Sequence, residues 1–185
     1  MAKSLTTKVV TADPVLRFLL SGAALYTAWY LLYEFVLHPH GVLDRAVIDN
    51  LVWLAGGMLQ AFGYELLPDP GFDSNRYLGI QGGSHLWIGD PCNGVSLFAV
   101  FLIFLLAYPG PWRHKLWFGA LGLLTIHLIN AIRVAVLCVV ASIDYDLFNF
   151  NHDYTFYVVV YGWVFLLWAI WVKRYTPRSA PSATA

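Results

Sequence analysis

Three residues far apart in the chain have the types that covalent acyl transfer requires: Cys92, Arg133 and His152. A cysteine is a good nucleophile as its thiolate, and nearby positive charge favours that form. A histidine that titrates near neutrality can take up a proton and later return it to a leaving amine. An arginine keeps its charge at every accessible pH and can hold a thiolate or a developing oxyanion. Asn130 lies one turn before Arg133 on neighbouring helix surface, where it can orient the guanidinium. Asp153 follows His152 directly, placed either to orient the imidazole or to start the next helix.

Whether these groups meet depends on the elements that carry them. The chain of 185 residues is 59% hydrophobic, 17% aromatic and only 12% charged, and its mean hydropathy is +0.62. Soluble domains run at about 45–50% apolar and about 25% charged. A soluble core of this size cannot hide so much apolar surface, so the chain reads as an integral membrane protein with lipids as partners. Disordered chains, nucleic-acid binders and disulfide-rich secreted scaffolds are excluded. The formal net charge is zero, so total charge implies no partner.

Residues 15–37, VLRFLLSGAALYTAWYLLYEFVL, are long and apolar enough to cross about 30 Å of hydrocarbon. No small-residue cleavage site closes the run, which reads as a retained helix rather than a signal peptide. A second crossing is expected from about Gly94 to Tyr108, stopping at Pro109-Gly110-Pro111; a third from Lys115 through Ser142; a fourth from about Tyr154 to Val172, ending in Lys173-Arg174. Eight of the eleven basic residues fall in three places: Lys3, Lys8 and Arg17; Arg113 and Lys115; Lys173, Arg174 and Arg178. The positive-inside rule puts all three in the cytoplasm, both termini included. Residues 38–92 must then stay on the outer side, where Asp44, Asp49, Glu65, Asp69, Asp73 and Asp90 also fall. Residues 42–67, apolar but interrupted by Asp44, Arg45, Asp49, Asn50, Gln60 and Glu65, read as an outer amphipathic helix. Residues 76–90, RYLGIQGGSHLWIGD, carry two short apolar stretches about Gly82-Gly83 and read as a hairpin. The expected architecture is an all-α integral membrane protein of four transmembrane helices, an outer amphipathic helix and a small extracytoplasmic β-hairpin. It forms one domain over residues 1–175, and residues 176–185 form a low-complexity, disordered cytoplasmic tail.

This frame brings the three reactive residues to one depth. Arg133 lies eighteen residues beyond Lys115, a rise of roughly 27 Å that carries it to the outer boundary of the hydrocarbon. Cys92 immediately precedes the second crossing and His152 the fourth, so both start at that boundary. Taken singly, Cys92 reads as a buried thiol, Arg133 as a snorkelling side chain and His152 as an interfacial cap. Together they read as a site, because ionisable groups at membrane depth are costly. Cys138, five residues past Arg133, points about 140° away around the helix and reads as packing. His127 reads as an inter-helix hydrogen bond. His38, His40 and His85 lack zinc-ligand spacing and read as structural loop residues; no metal is expected.

The same residues resemble a known family. The segments DPCNGVSLF, LINAIRVAVL and NHDYTFYVVVYGWVFLLW are similar to the exosortase/archaeosortase proteins, membrane-embedded sorting enzymes with three ordered motifs. A Cys and a Gly open one helix (here Cys92-Asn93-Gly94), an Asn-x-x-Arg lies in the next (Asn130 to Arg133), and a His opens the last (His152). The likeness covers about residues 60–172. The short chain and its HDY…YG…FLLW ending are similar to the compact exosortase F-like branch. The resemblance implies a cysteine-dependent sorting transpeptidase in the bacterial cytoplasmic membrane, acting on its extracytoplasmic face. Its substrates would be surface-destined proteins ending in a short motif, a hydrophobic helix and a basic tail. Cys92 would attack the scissile carbonyl and form a thioester that an acceptor nucleophile resolves, with no cofactor. The alternative is a non-enzymatic polytopic assembly subunit of a surface-polymer or export system.

Overall fold

The computed structural model describes residues 13–71, 76–144, 147–148 and 156–175. Helix α1, Pro14–His40, starts where Asp13 caps it: the carboxylate accepts from the Val15 amide at 2.9 Å, and Pro14 takes the first-turn position that has no amide to satisfy. Its last turns widen into a π-helical stretch at Tyr33–Leu37. Gly41, with φ +64, breaks it and turns the chain directly into α2, Val42–Ala61. Helix α2 buries Asp44, Ile48, Leu51, Ala55 and Leu59, a spacing of three and four that marks one helical stripe. The expected amphipathic helix is therefore present, but it stops at Ala61 rather than reaching residue 67. Past it, Leu66 bridges to Ile80 beside the hairpin.

The hairpin pairs β1, Tyr77–Leu78, with β2, Leu86–Trp87, antiparallel, with Tyr77 opposite Trp87 and Leu78 opposite Leu86. A 3-10 turn at Asp90–Cys92 and the left-handed Gly94 lead into α3, Val95–Ala107. The Pro109-Gly110-Pro111 corner then feeds α4, Trp112–Ile143, and the described chain closes with α5, Phe156–Tyr175.

Among the described residues, three helices are long and apolar enough to cross a membrane: Pro14–His40, Trp112–Ile143 and Tyr157–Tyr175. Helix α3 lies where the second crossing is expected but is short for one. Its 13 residues rise about 20 Å, against about 30 Å of hydrocarbon. At 32 residues α4 rises about 48 Å and packs against α2, α3 and α5.

Helix α4 serves two cores. Near its start, Phe118 and Ile126 pack with Phe101 and Leu105 of α3 and Val164, Leu167 and Trp171 of α5. Near its end, Ala131, Val134, Ala135 and Cys138 pack with the buried stripe of α2 and with Leu78, Ile80 and Ile88 of the hairpin. Between apolar helices in lipid, close approach rather than water exclusion supplies the attraction, so small residues sit at the contacts. Gly122 is the clearest case, since the Phe101 ring occupies the place a Cβ would take. Helix α1 buries none of its residues and leans on α3 edge-on, Phe18 meeting Phe104 and Tyr108 at 5.6 and 5.3 Å between ring centroids.

Candidate functional site

The Asp90–Cys92 turn is braced from three directions, and each brace is a polar side chain. From the hairpin, Arg76 Nη1 meets Asp90 Oδ1 at 2.7 Å, while the Arg76 carbonyl accepts from the Ile88 amide at 2.8 Å. From α4, Asn130 Nδ2 donates to the Cys92 carbonyl at 2.9 Å. From α2, Asp44 Oδ1 accepts from Asn93 Nδ2 at 2.6 Å. Inside the turn, the Cys92 amide donates to the Gly89 carbonyl, and Asn93 Oδ1, one residue ahead of the Gly94 N-cap, accepts from the Val95 amide at 2.8 Å, satisfying the first amide of α3.

Gly94 is what lets Asn130 come so close. Its φ of +85 suits glycine, and a Cβ there would stand 3.2 Å from Asn130 Nδ2. The Cys-x-Gly pattern thus places a half-buried thiol on a turn whose next residue satisfies the first amide of a helix and whose glycine admits the α4 amide.

Asn130 also faces Arg133. Buried at 1% exposure, it accepts from Arg133 Nη1 at 3.5 Å while donating to Cys92. One side chain thereby links the cysteine turn to the guanidinium. Beside them a small cavity of about 70 Å³ is lined by Pro91, Gly94 and Leu97 on one wall, Arg133 on the second, and Tyr157 and Tyr161 of α5 on the third. The two tyrosine rings are stacked, 6.0 Å apart and 13° from parallel. The space, of side-chain size, is bordered by the residues on either side of Cys92-Asn93, a permanent cation and an aromatic wall; Cys92 itself packs on the core beside it.

Of the expected site residues, Cys92, Asn130 and Arg133 are brought together; His152 and Asp153 lie outside the described residues. The expected tail at residues 176–185 lies outside them too. Cys138 is buried at 2% exposure in the α2–α4 core, its thiol 3.7 Å from the Leu78 carbonyl. His127 makes an inter-helix hydrogen bond, Nε2 to Asn50 Oδ1 at 2.8 Å. His38, His40 and His85 turn to three different partners: Asp44, the Val36 carbonyl and the Pro68 carbonyl.

Sequence reasoning missed Asp44 and Asn93. Asp44 counts as one of several charges interrupting an apolar run, yet it occupies the same stripe as Ile48, Leu51 and Ala55. A charge on the buried stripe, rather than opposite it, was the available signal. Asn93 stands at the residue before the left-handed glycine, where a side-chain oxygen can satisfy the first amide of the coming helix, and that position too is readable.

The family model described as transmembrane exosortase (Exosortase_EpsH) matches residues 10–175. Comparison with curated proteins and with solved structures found no match.

Proposed function

Because the chain belongs to the transmembrane exosortase family, we propose that it cleaves C-terminal sorting signals and transfers the released protein to an acceptor, with Cys92 as nucleophile. The Cys92 thiolate attacks the scissile carbonyl, and Arg133 stabilises the oxyanion. The C–N bond breaks, His152 protonates the leaving amine, and a thioester remains on Cys92. An acceptor nucleophile then attacks the thioester, forming a new acyl bond and returning the thiol. Asp153 orients His152, and Asn130 orients Arg133. The observation that carries this reading is the Asn130 side chain, which touches both the cysteine turn and the guanidinium. His152 stands only five positions before Tyr157, a residue of the cavity wall.

The substrates are surface-destined proteins ending in a short motif, a hydrophobic helix and a basic tail. The enzyme sits in the bacterial cytoplasmic membrane as a compact F-like member of its family, both termini cytoplasmic and Cys92 facing outward. Four helices cross, with α3 extended to membrane depth by the turn before it and the Tyr108–Pro111 corner after it. At that corner the Lys115 ammonium donates to the Leu106 and Tyr108 carbonyls at 2.8 and 2.7 Å, satisfying the end of the short helix.

The test is mass spectrometry of surface-protein C-termini in cells carrying the wild-type gene, a deletion, or the deletion complemented with Cys92→Ala. Tagged proteins should keep their C-terminal helix in both the deletion and the Cys92→Ala cells. Normal processing by Cys92→Ala would overturn the proposal and favour the assembly-subunit alternative. A covalent acceptor on the mature C-terminus marks transfer, and a free carboxylate marks hydrolysis.

A further inference from the structure

Asp44 is the most deeply buried carboxylate among the described residues, 1% exposed at the first turn of α2. A carboxylate taken out of water is costly unless donors surround it. Here three side chains face it from two other segments. Asn93 Nδ2 and Tyr33 Oη both donate to Oδ1, at 2.6 and 2.8 Å, and His38 Nδ1 lies 3.2 Å from Oδ2. A surface cap would have faced water; this one is turned inward, onto the residue that follows Cys92.

We propose that Asp44 is a positioning residue for the thiol: through Asn93 it fixes the Asp90–Gly94 turn from α2, as Asn130 does from α4, and so sets where Cys92 points. The geometry gives each brace a distinct hold. Asn130 holds the Cys92 carbonyl, and Asp44 holds the Asn93 side chain, whose own oxygen satisfies the first amide of α3. With both in place the turn cannot rotate about the Cys92–Asn93 link. Tyr33 and His38 extend the arrangement to the end of α1, a helix that buries no residue of its own through Leu32. Asp44 thus ties α1, α2 and the cysteine turn at one point. The functional consequence rests on the reading of Cys92 as nucleophile; the effect on the thiol itself does not.

The experiment uses the full-length protein in native membranes, with two readouts. One is processing of a tagged substrate, split into kcat and KM. The other is the rate at which iodoacetamide alkylates Cys92, mapped by mass spectrometry, with the buried Cys138 as an internal folding control. Asp44→Ala should lower kcat by about 10–100-fold with KM within about twofold, since small misplacements of a reacting atom have effects of that size. Cys92 alkylation should rise at least about threefold while Cys138 stays unreacted, as local opening demands. Asn93→Asp should be worse, because it sets two carboxylates face to face, and adding Asp44→Asn should restore the pair with its charge exchanged. If Asp44→Ala also exposes Cys138, the variant has unfolded and the exchange decides: recovery by Asn93→Asp/Asp44→Asn supports the proposal, and failure to recover overturns it. Unchanged kcat and unchanged Cys92 alkylation in a folded Asp44→Ala protein would overturn it as well. Altered alkylation in a protein whose processing never depended on Cys92 would leave Asp44 as the brace and sink only the acyl-transfer reading.

Discussion

The two ends of α4 keep different company. Toward its start the contacts are rings and bare backbone: Phe118, Phe101 and Trp171, with Gly122 making room. Toward its end the contacts are small aliphatic groups, and among them sit Asn130, Arg133 and, from other segments, Asp44 and Asn93. Every buried polar or charged side chain among the described residues belongs to this second end. The difference follows from solvation. Polar groups in hydrocarbon are expensive, whereas near a membrane boundary they can be satisfied by one another and by backbone. The ring-packed end holds the helices together, and the polar end carries the proposed site.

If that division holds, changes at the polar end should damage turnover more than folding, and changes at the ring-packed end should do the reverse. Cys92→Ala should have the largest effect, lowering processing by about 10³-fold or more at unchanged abundance, as expected when a covalent step is lost. Arg133→Lys should follow at about 10²-fold in kcat, because an ammonium cannot reproduce the planar fork; full activity would show that a fixed guanidinium is not needed. Asn130→Ala should lower kcat by about 10-fold or more, and because it leaves the Cys92 carbonyl without its side-chain donor it should also cost about 1–3 kcal/mol in a detergent melt. Gly122→Val crosses the comparison. It drives a side chain into the Phe101 ring and should destabilise by about 1–3 kcal/mol, read as lower abundance in membranes with undiminished turnover per folded molecule. Cys138→Ala should be smallest, about 1 kcal/mol in a detergent melt and no loss of processing.

The apolar framework was legible because composition and periodicity report it directly. The run through residues 15–37, the long helix past Lys115 and the hairpin about Gly82-Gly83 all lie where the sequence places them. The approach of Asn130 to Arg133 was also legible, since it is fixed by helix geometry alone. The span of α3 was legible as well, since it ends just before Pro109 and Pro111 as expected; the partners of Asp44 were not. Tyr33 and Asn93 stand eleven and forty-nine positions from it, a pairing that no local pattern contains, although the place of Asp44 on the buried stripe of α2 is itself readable. Reading α2 as a stripe rather than as a list of interruptions would have singled the residue out.

The central claim is that Cys92 carries the acyl group, and the most direct measurement is to find it there. Purified protein should be incubated with a tagged substrate, quenched in acid and mapped by mass spectrometry, with and without hydroxylamine. A hydroxylamine-labile adduct on Cys92 with the mass of the substrate's N-terminal portion is expected, absent from Cys92→Ala. Processed substrate with no such adduct, formed equally well by Cys92→Ala, would contradict the claim.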